Sequence, residues 1–139
     1  MDSRRLVIGI SGASGIIYGI HLLEFLAERP EIETHVVVSR AAGLVIAREA
    51  NMTVEDIERM ADVAYRPDDL AASIASGSFR TAGMVIAPCS IKTLSAVANS
   101  YAANLIGRAA DVTLKERRPL VLMVRETPFH LGHLRLMAQ

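Results

Sequence analysis

A chain of 139 residues, 51% apolar but only 4% aromatic, can bury one domain core built from Ala, Val, Ile and Leu. Fifteen basic and fifteen acidic residues cancel without a long block of one sign, so nothing in the charge supports a nucleic-acid or membrane-surface role. A single cysteine, Cys89, excludes an internal disulfide and a cysteine-rich metal site, and fits a reducing compartment.

The leading "MDSRR" runs straight into a short apolar segment, too short for a secretory signal. No apolar run is long enough to cross a bilayer. Together these read as a cytoplasmic protein. The mean hydropathy of +0.31 is high for a small soluble monomer. Either a sheet is buried on both faces, or apolar surface meets a partner chain.

Leu6 to Ile10 is a short continuous apolar run, the pattern of a buried parallel strand. "GASG" breaks it, and a helix is predicted from Gly15 to Leu26, ended by Pro30. His21 on this helix and His35 on the next strand are expected to be core histidines. Glu33 to Val38 is the second strand. Ser39 is a candidate N-cap for a helix over Ala41 to Ala50, and Thr53 for a shorter one, with Asp56 completing an imperfect capping box. Residues 64–82 are irregular. Met84 to Ala87 is a third strand, closed by Pro88. Helices follow at Ser90 to Ser100 and Asn104 to Lys115, then a fourth strand at Leu120 to Val124 and a helical pattern from Pro128 to Gln139. Alternating strands and helices predict a parallel sheet with helices on both faces.

Three constellations could carry chemistry. The first loop spaces its glycines as Gly9, Gly12 and Gly15, not as the dinucleotide fingerprint, and the second strand ends in Ser39 rather than an acid. Both features argue against NAD. The turn still aims backbone N–H groups and a helix N-terminus above the strands. Ser14 either caps that helix or serves a ligand. The second constellation is "APCSIKT", which places Ser90 and Thr93 in the first turn of a helix beyond a strand end, with Ser39 at the same end of a neighbouring strand. These hydroxyls make an anion site or are ordinary caps. Cys89 beside them reads as a small buried residue. In the third, Arg108 and Lys115 share a helix face, and Arg125–Glu126 follow a strand directly. Such a pair can bind an anion and move a proton. Glu49, in a mostly apolar helix, would have a raised pKa if buried, but a solvated helix end is the better reading of its position. His130 and His133 lack a third ligand nearby, so no metal site is expected.

"GASGIIYG", "SRAA" and "SGSFRTAGMVIAPCSIKTLSAVANSYAANLIGRAADVTLKERRPLVLMVRETPFH" closely resemble the UbiX-type flavin prenyltransferases, which include small subunits of phenolic-acid decarboxylase systems. The resemblance implies a Rossmann-like or flavodoxin-like three-layer α/β sandwich with a mostly parallel sheet. It implies one FMN-binding domain over residues 1–139 and a homododecamer. It also implies metal-independent transfer of a dimethylallyl group from dimethylallyl phosphate to N5 and C6 of reduced FMN. The product serves UbiD-type decarboxylases, in ubiquinone synthesis or in aromatic-acid breakdown. Carried over by motif, FMN contacts fall on Gly12, Ala13, Ser14, Ser39, Ser90, Ile91, Lys92, Thr93 and Arg125. Prenyl-phosphate binding and chemistry fall on Ser14, Glu49, Arg108, Lys115, Arg125 and Glu126, some of them reaching the site from a neighbouring subunit. The family continues past the position of Gln139 with a further strand, a tyrosine and a basic residue, so the chain reads as C-terminally truncated.

On that basis Lys115, Arg108 and Arg125 would stabilise the leaving phosphate, Glu126 would protonate it, and Ser14 with Glu49 would relay a proton from the flavin. The hydroxyls of Ser39 and Ser90–Thr93 become the phosphate site, and the glycine loop lies against the flavin ring. Two other readings remain: an FMN-dependent cysteine decarboxylase, disfavoured by "PCSIKT" and by Glu49, and a non-catalytic FMN-binding oligomer.

Overall fold

The computed structural model describes residues 4–139; the first three residues of "MDSRR" lie outside the described residues. Five strands form one sheet: β1 (Arg4–Ile10), β2 (Ile32–Val38), β3 (Val63–Tyr65), β4 (Gly83–Cys89) and β5 (Leu120–Val124). Their order is β3-β2-β1-β4-β5, and every pairing is parallel. Of the two architectures named together above, this is the Rossmann order. Six α-helices complete the chain: α1 (Ile16–Ala27), α2 (Arg40–Glu49), α3 (Val54–Glu58), α4 (Ile91–Ala98), α5 (Leu105–Lys115) and α6 (Leu131–Ala138).

The alternation of side chains along each strand builds two cores, one on each face of the sheet. Ile8, Ile10, Val36 and Val38 face α1, α2 and α3 through Ile16, Ile20, Leu23, Ile46 and Ile57. Val7, Val37, Met84 and Ile86 face α4 and α5 through Leu94, Leu105, Ile106 and Ala109. Each fully buried aliphatic side chain of this kind contributes about 1.5–3 kcal/mol. The small aromatic content is therefore no obstacle to a packed three-layer domain.

Three expectations are corrected. Four strands were expected and there are five. β3 is only three residues long, pairs with β2 alone, and alternates partly buried with exposed positions. It is an edge strand too short to show a period in the sequence. β4 does not close at Pro88 but continues to Cys89, with a register shift against β5 between Ile86 and Cys89. His21 lies on the solvent side of α1. His35 is buried as expected, held by Glu33 at 2.6 Å and the Tyr65 hydroxyl at 2.8 Å.

The chain leaves β1 toward β2 and leaves β4 toward β5, so the loops after β1 and β4 diverge. A crevice opens between them at the carboxyl ends of the strands, where ligands of this architecture sit.

Candidate functional site

Three hydrogen bonds of one buried serine tie the two sides of that crevice together. Ser11, the residue after β1, is 1% exposed. Its backbone N–H donates to the Pro88 carbonyl at 3.2 Å, and its hydroxyl donates to the same carbonyl at 2.8 Å. The hydroxyl also accepts from Ser90 N–H at 2.8 Å. One small side chain thus ties the two strand ends together across the point where the strand order reverses. Motif spacing singled out Ser14 but passed over Ser11, because a serine closing an apolar run carries no signal of its partners.

Two helices begin at the crevice with their caps in place. Ser39 caps α2, accepting from Ala42 N–H at 3.1 Å. Ser90 caps α4, accepting from Thr93 N–H at 3.2 Å and donating to the Thr93 hydroxyl at 3.0 Å. The two readings of these hydroxyls are therefore compatible. The caps use the serine lone pairs and the N–H groups of Ala42 and Thr93, while the Thr93 hydroxyl proton and the earlier N–H groups of both first turns remain for an anion. Ser39, Ser90, Lys92 and Thr93 line a cleft of about 900 Å³, with Gly12 at its inner edge.

A smaller recess adjoins it, sharing Gly12 and Ser90, and is lined also by Ala13, Ser14, Ile91, Arg125 and Glu126. Each of the nine predicted FMN-contact positions lines one or both of these two neighbouring pockets. Glu126 stands at its rim, accepting from Thr127 N–H at 3.1 Å.

The entrance to α1 decides between the readings of Ser14 and of Glu49. Ser14 does not cap the helix. The N-cap is Gly15, at φ +97°, and it has no side chain with which to cap. The cap comes from Glu49 at the far end of α2. One carboxylate oxygen accepts from Gly15 N–H at 3.0 Å and Ile16 N–H at 3.4 Å, and the other accepts from the Ser14 hydroxyl at 2.8 Å. Glu49 is the exposed helix end of the two readings, and its pKa is lowered, not raised. The Ser14 hydroxyl contributes most, then the Gly15 N–H; desolvation opposes them in part, and Ile16 N–H and Arg125 add to the lowering. A depressed native pKa means that the unfolded chain binds more protons in the window between the two values. The cap on α1 is complete above the ordinary glutamate range and is lost as pH falls through the lowered native pKa. Acid titration followed by circular dichroism should show this loss for the parent chain and a flatter curve for Glu49→Gln.

The glycines are also required by the chain's own packing. A methyl group at position 12 would fall 2.5 Å from the Ala41 side chain and 3.0 Å from its carbonyl carbon, and one at position 15 would fall 3.0 Å from the Tyr18 ring. Gly12 lets the loop approach the start of α2, and Gly15 supplies a left-handed turn. Both shape the chain's own packing before any ligand enters.

Arg108 and Lys115 do not border the cleft within one chain. Arg108 donates to the Ala75 carbonyl at 3.1 Å and lies 3.6 Å from Asp111. Lys115 pairs with Glu116 at 2.7 Å. They do share a helix face, turned toward the loop 73–79. Cys89 is fully buried, and burial pushes its thiol up to about 12, so it is no nucleophile at neutral pH. Among the described residues no group of His, Cys, Asp or Glu is placed to hold a metal, and no helix is long and apolar enough to cross a membrane. His130 and His133 cap each other's backbone at the start of α6.

Comparison with known proteins agrees with this geometry. Residues 1–134 match the Flavoprotein family. The flavin prenyltransferase UbiX of Escherichia coli is 59% identical over 136 residues, covering 98% of this chain and 72% of that protein. The crystal structure of a dodecameric FMN-dependent UbiX-like decarboxylase from Escherichia coli O157:H7 superposes with a TM-score of 0.95 at 47% identity, covering 96% of this chain and 72% of that one. AnUbiX in complex with FMN and dimethylallyl pyrophosphate superposes equally well, with a TM-score of 0.95 at 44% identity over 98% of this chain and 72% of that one. The crevice at the β1–β4 switch point, the capped helix starts around it and these levels of identity lead to one assignment: the chain belongs to the UbiX-type flavin prenyltransferase family.

Proposed function

We propose that the chain, as a single FMN-binding domain, transfers a dimethylallyl group from dimethylallyl phosphate to N5 and C6 of reduced FMN. The observation that carries the reading is the Ser14 hydroxyl donating to Glu49 at the mouth of the recess beside Arg125. The donor set fits FMN. Capped helix starts with Ser39, Ser90 and Thr93 suit a phosphate monoester, and the recess is bordered by Ala13 and Ile91, as a ring system requires. When bound, reduced FMN supplies the two nucleophilic ring positions.

The protein supplies the rest. Glu49 is held ionised by its hydrogen bonds, so the Ser14 oxygen is polarised to accept a proton and pass it on. Arg125, on the same wall, offsets the charge of the departing phosphate, and Glu126 beside it delivers a proton to that phosphate. Survival of the allylic cation requires that water be kept from the recess while the substrates are bound, a task for the flavin and a neighbouring copy of the chain. Arg108 and Lys115 serve the phosphate of a neighbouring subunit, which accounts for their distance from the cleft of their own chain.

That arrangement requires a homo-oligomer. Tyr18 and Phe25 on α1, Val121 and Met123 on β5, and Leu131 and Leu134 near the chain end are all exposed. Apolar surface of this extent suits contact between copies. The same exposed faces explain the high mean hydropathy. Delivery of the prenylated product to a UbiD-type decarboxylase completes the proposal.

The test is direct. Incubation with reduced FMN and dimethylallyl phosphate should yield a flavin heavier by one dimethylallyl unit in the mass spectrum. Bound FMN with no adduct would reduce the chain to a flavin-binding oligomer. Release of carbon dioxide from a peptidyl cysteine would place the chain among cysteine decarboxylases.

A further inference from the structure

Arg40 opens α2 directly after the cap Ser39 and is 81% exposed at its side chain. Its Nη2 lies 3.3 Å from Oδ2 of Asp68, in the loop beyond β3. The other oxygen of Asp68 is 3.4 Å from Nε of Arg66. Arg40 and Asp68 both line the larger cleft together with Ser39, Ser90 and Thr93. Among the lining residues Asp68 is the one carboxylate, and Arg40 and Lys92 are the cations. A carboxylate here is at odds with the rest of the wall, whose helix starts and hydroxyls favour an anion. Pairing with Arg40 and with Arg66 offsets that charge. An ion pair this exposed is weak and easily exchanged for a better partner. A phosphate monoester carries more charge than a carboxylate and accepts a bidentate guanidinium.

We propose that Arg40 is the residue that selects the phosphorylated flavin: it leaves Asp68 for the 5′-phosphate of FMN, and Asp68 competes for it while the cleft is free of phosphate. The inference rests on the reading of this cleft as the FMN site. Riboflavin offers Arg40 no charged partner, so it leaves the pair in place. Arg66 stays on Asp68 and keeps the carboxylate compensated once Arg40 has moved.

The test measures binding, not turnover. The parent chain, Arg40→Gln and Asp68→Asn are titrated with oxidised FMN and with riboflavin, following flavin fluorescence. Arg40→Gln should lose about tenfold in FMN affinity and nothing for riboflavin. Asp68→Asn should gain about threefold for FMN and nothing for riboflavin. An equal loss for both flavins in Arg40→Gln, or no loss at all, overturns the role of Arg40. A loss of FMN affinity in Asp68→Asn overturns the competition. A parent chain that fails to prefer FMN over riboflavin overturns the cofactor reading and this inference with it. A parent chain that prefers FMN, with the preference intact in Arg40→Gln, overturns this inference alone.

Discussion

Glu49→Gln should slow prenyl transfer by about a hundredfold or more while leaving FMN affinity nearly unchanged. The amide oxygen of glutamine can still accept from Gly15 and Ile16 N–H, so the start of α1 keeps its cap. The amide nitrogen cannot accept the Ser14 proton, so the polarised hydroxyl is lost. Ser14→Ala should show the same pattern, because it removes the relay and leaves both backbone bonds to Glu49. Glu49→Ala serves as the folding control: it strips the cap as well and should melt at a lower temperature than Glu49→Gln. Single-turnover transfer rates and flavin titrations on the same preparations decide the matter. A fall in FMN affinity as large as the fall in rate would return Ser14 and Glu49 to a purely structural task.

The second large effect lies at Ser11. Ser11→Ala should cost about 1–3 kcal/mol in equilibrium denaturation, although it removes a single oxygen. The part-buried Ser90 N–H loses its acceptor, a hydroxyl carried by a residue only 1% exposed. The Pro88 carbonyl keeps the Ser11 backbone N–H as its donor, so the cost falls on the start of α4. Because Ser90 is also the cap of α4, FMN affinity should fall alongside stability. A stability change below about 0.5 kcal/mol would mean that the β1 and β4 ends hold their spacing without this bond.

The contrast between Ser11 and Ser14 shows where legibility in the sequence stops. Ser14 stood out because "GASG" is a recognisable break between a strand and a helix, and it was weighed as a cap or a ligand contact. It is not the cap. The cap comes from Glu49, thirty-five residues later in the chain, and no local pattern carries a partner at that distance. The partners of Glu49 are equally out of reach of local pattern. Its apolar helical neighbours suggested burial, but α2 presents its last residue to solvent and to the start of α1, where hydrogen bonds dominate its titration. Ser39 and Ser90 were read correctly because a cap and its N–H partner lie three residues apart.

Strand–helix alternation, the apolar runs of β1, β2, β4 and β5, and the helix caps were determined by the sequence itself. Each of these depends on neighbours within one turn or one strand, and the motif run from Ser76 to His130 carried the family. The order of the strands, the existence of β3, the Ser11 bridge, the Glu49 cap on α1 and the Arg40–Asp68 pair were decided only by the tertiary structure. Each joins residues whose separation along the chain is set by how the sheet is wound. The same winding leaves Arg108 and Lys115 outside their own cleft, since α5 turns their shared face toward the loop 73–79, away from the crevice between β1 and β4.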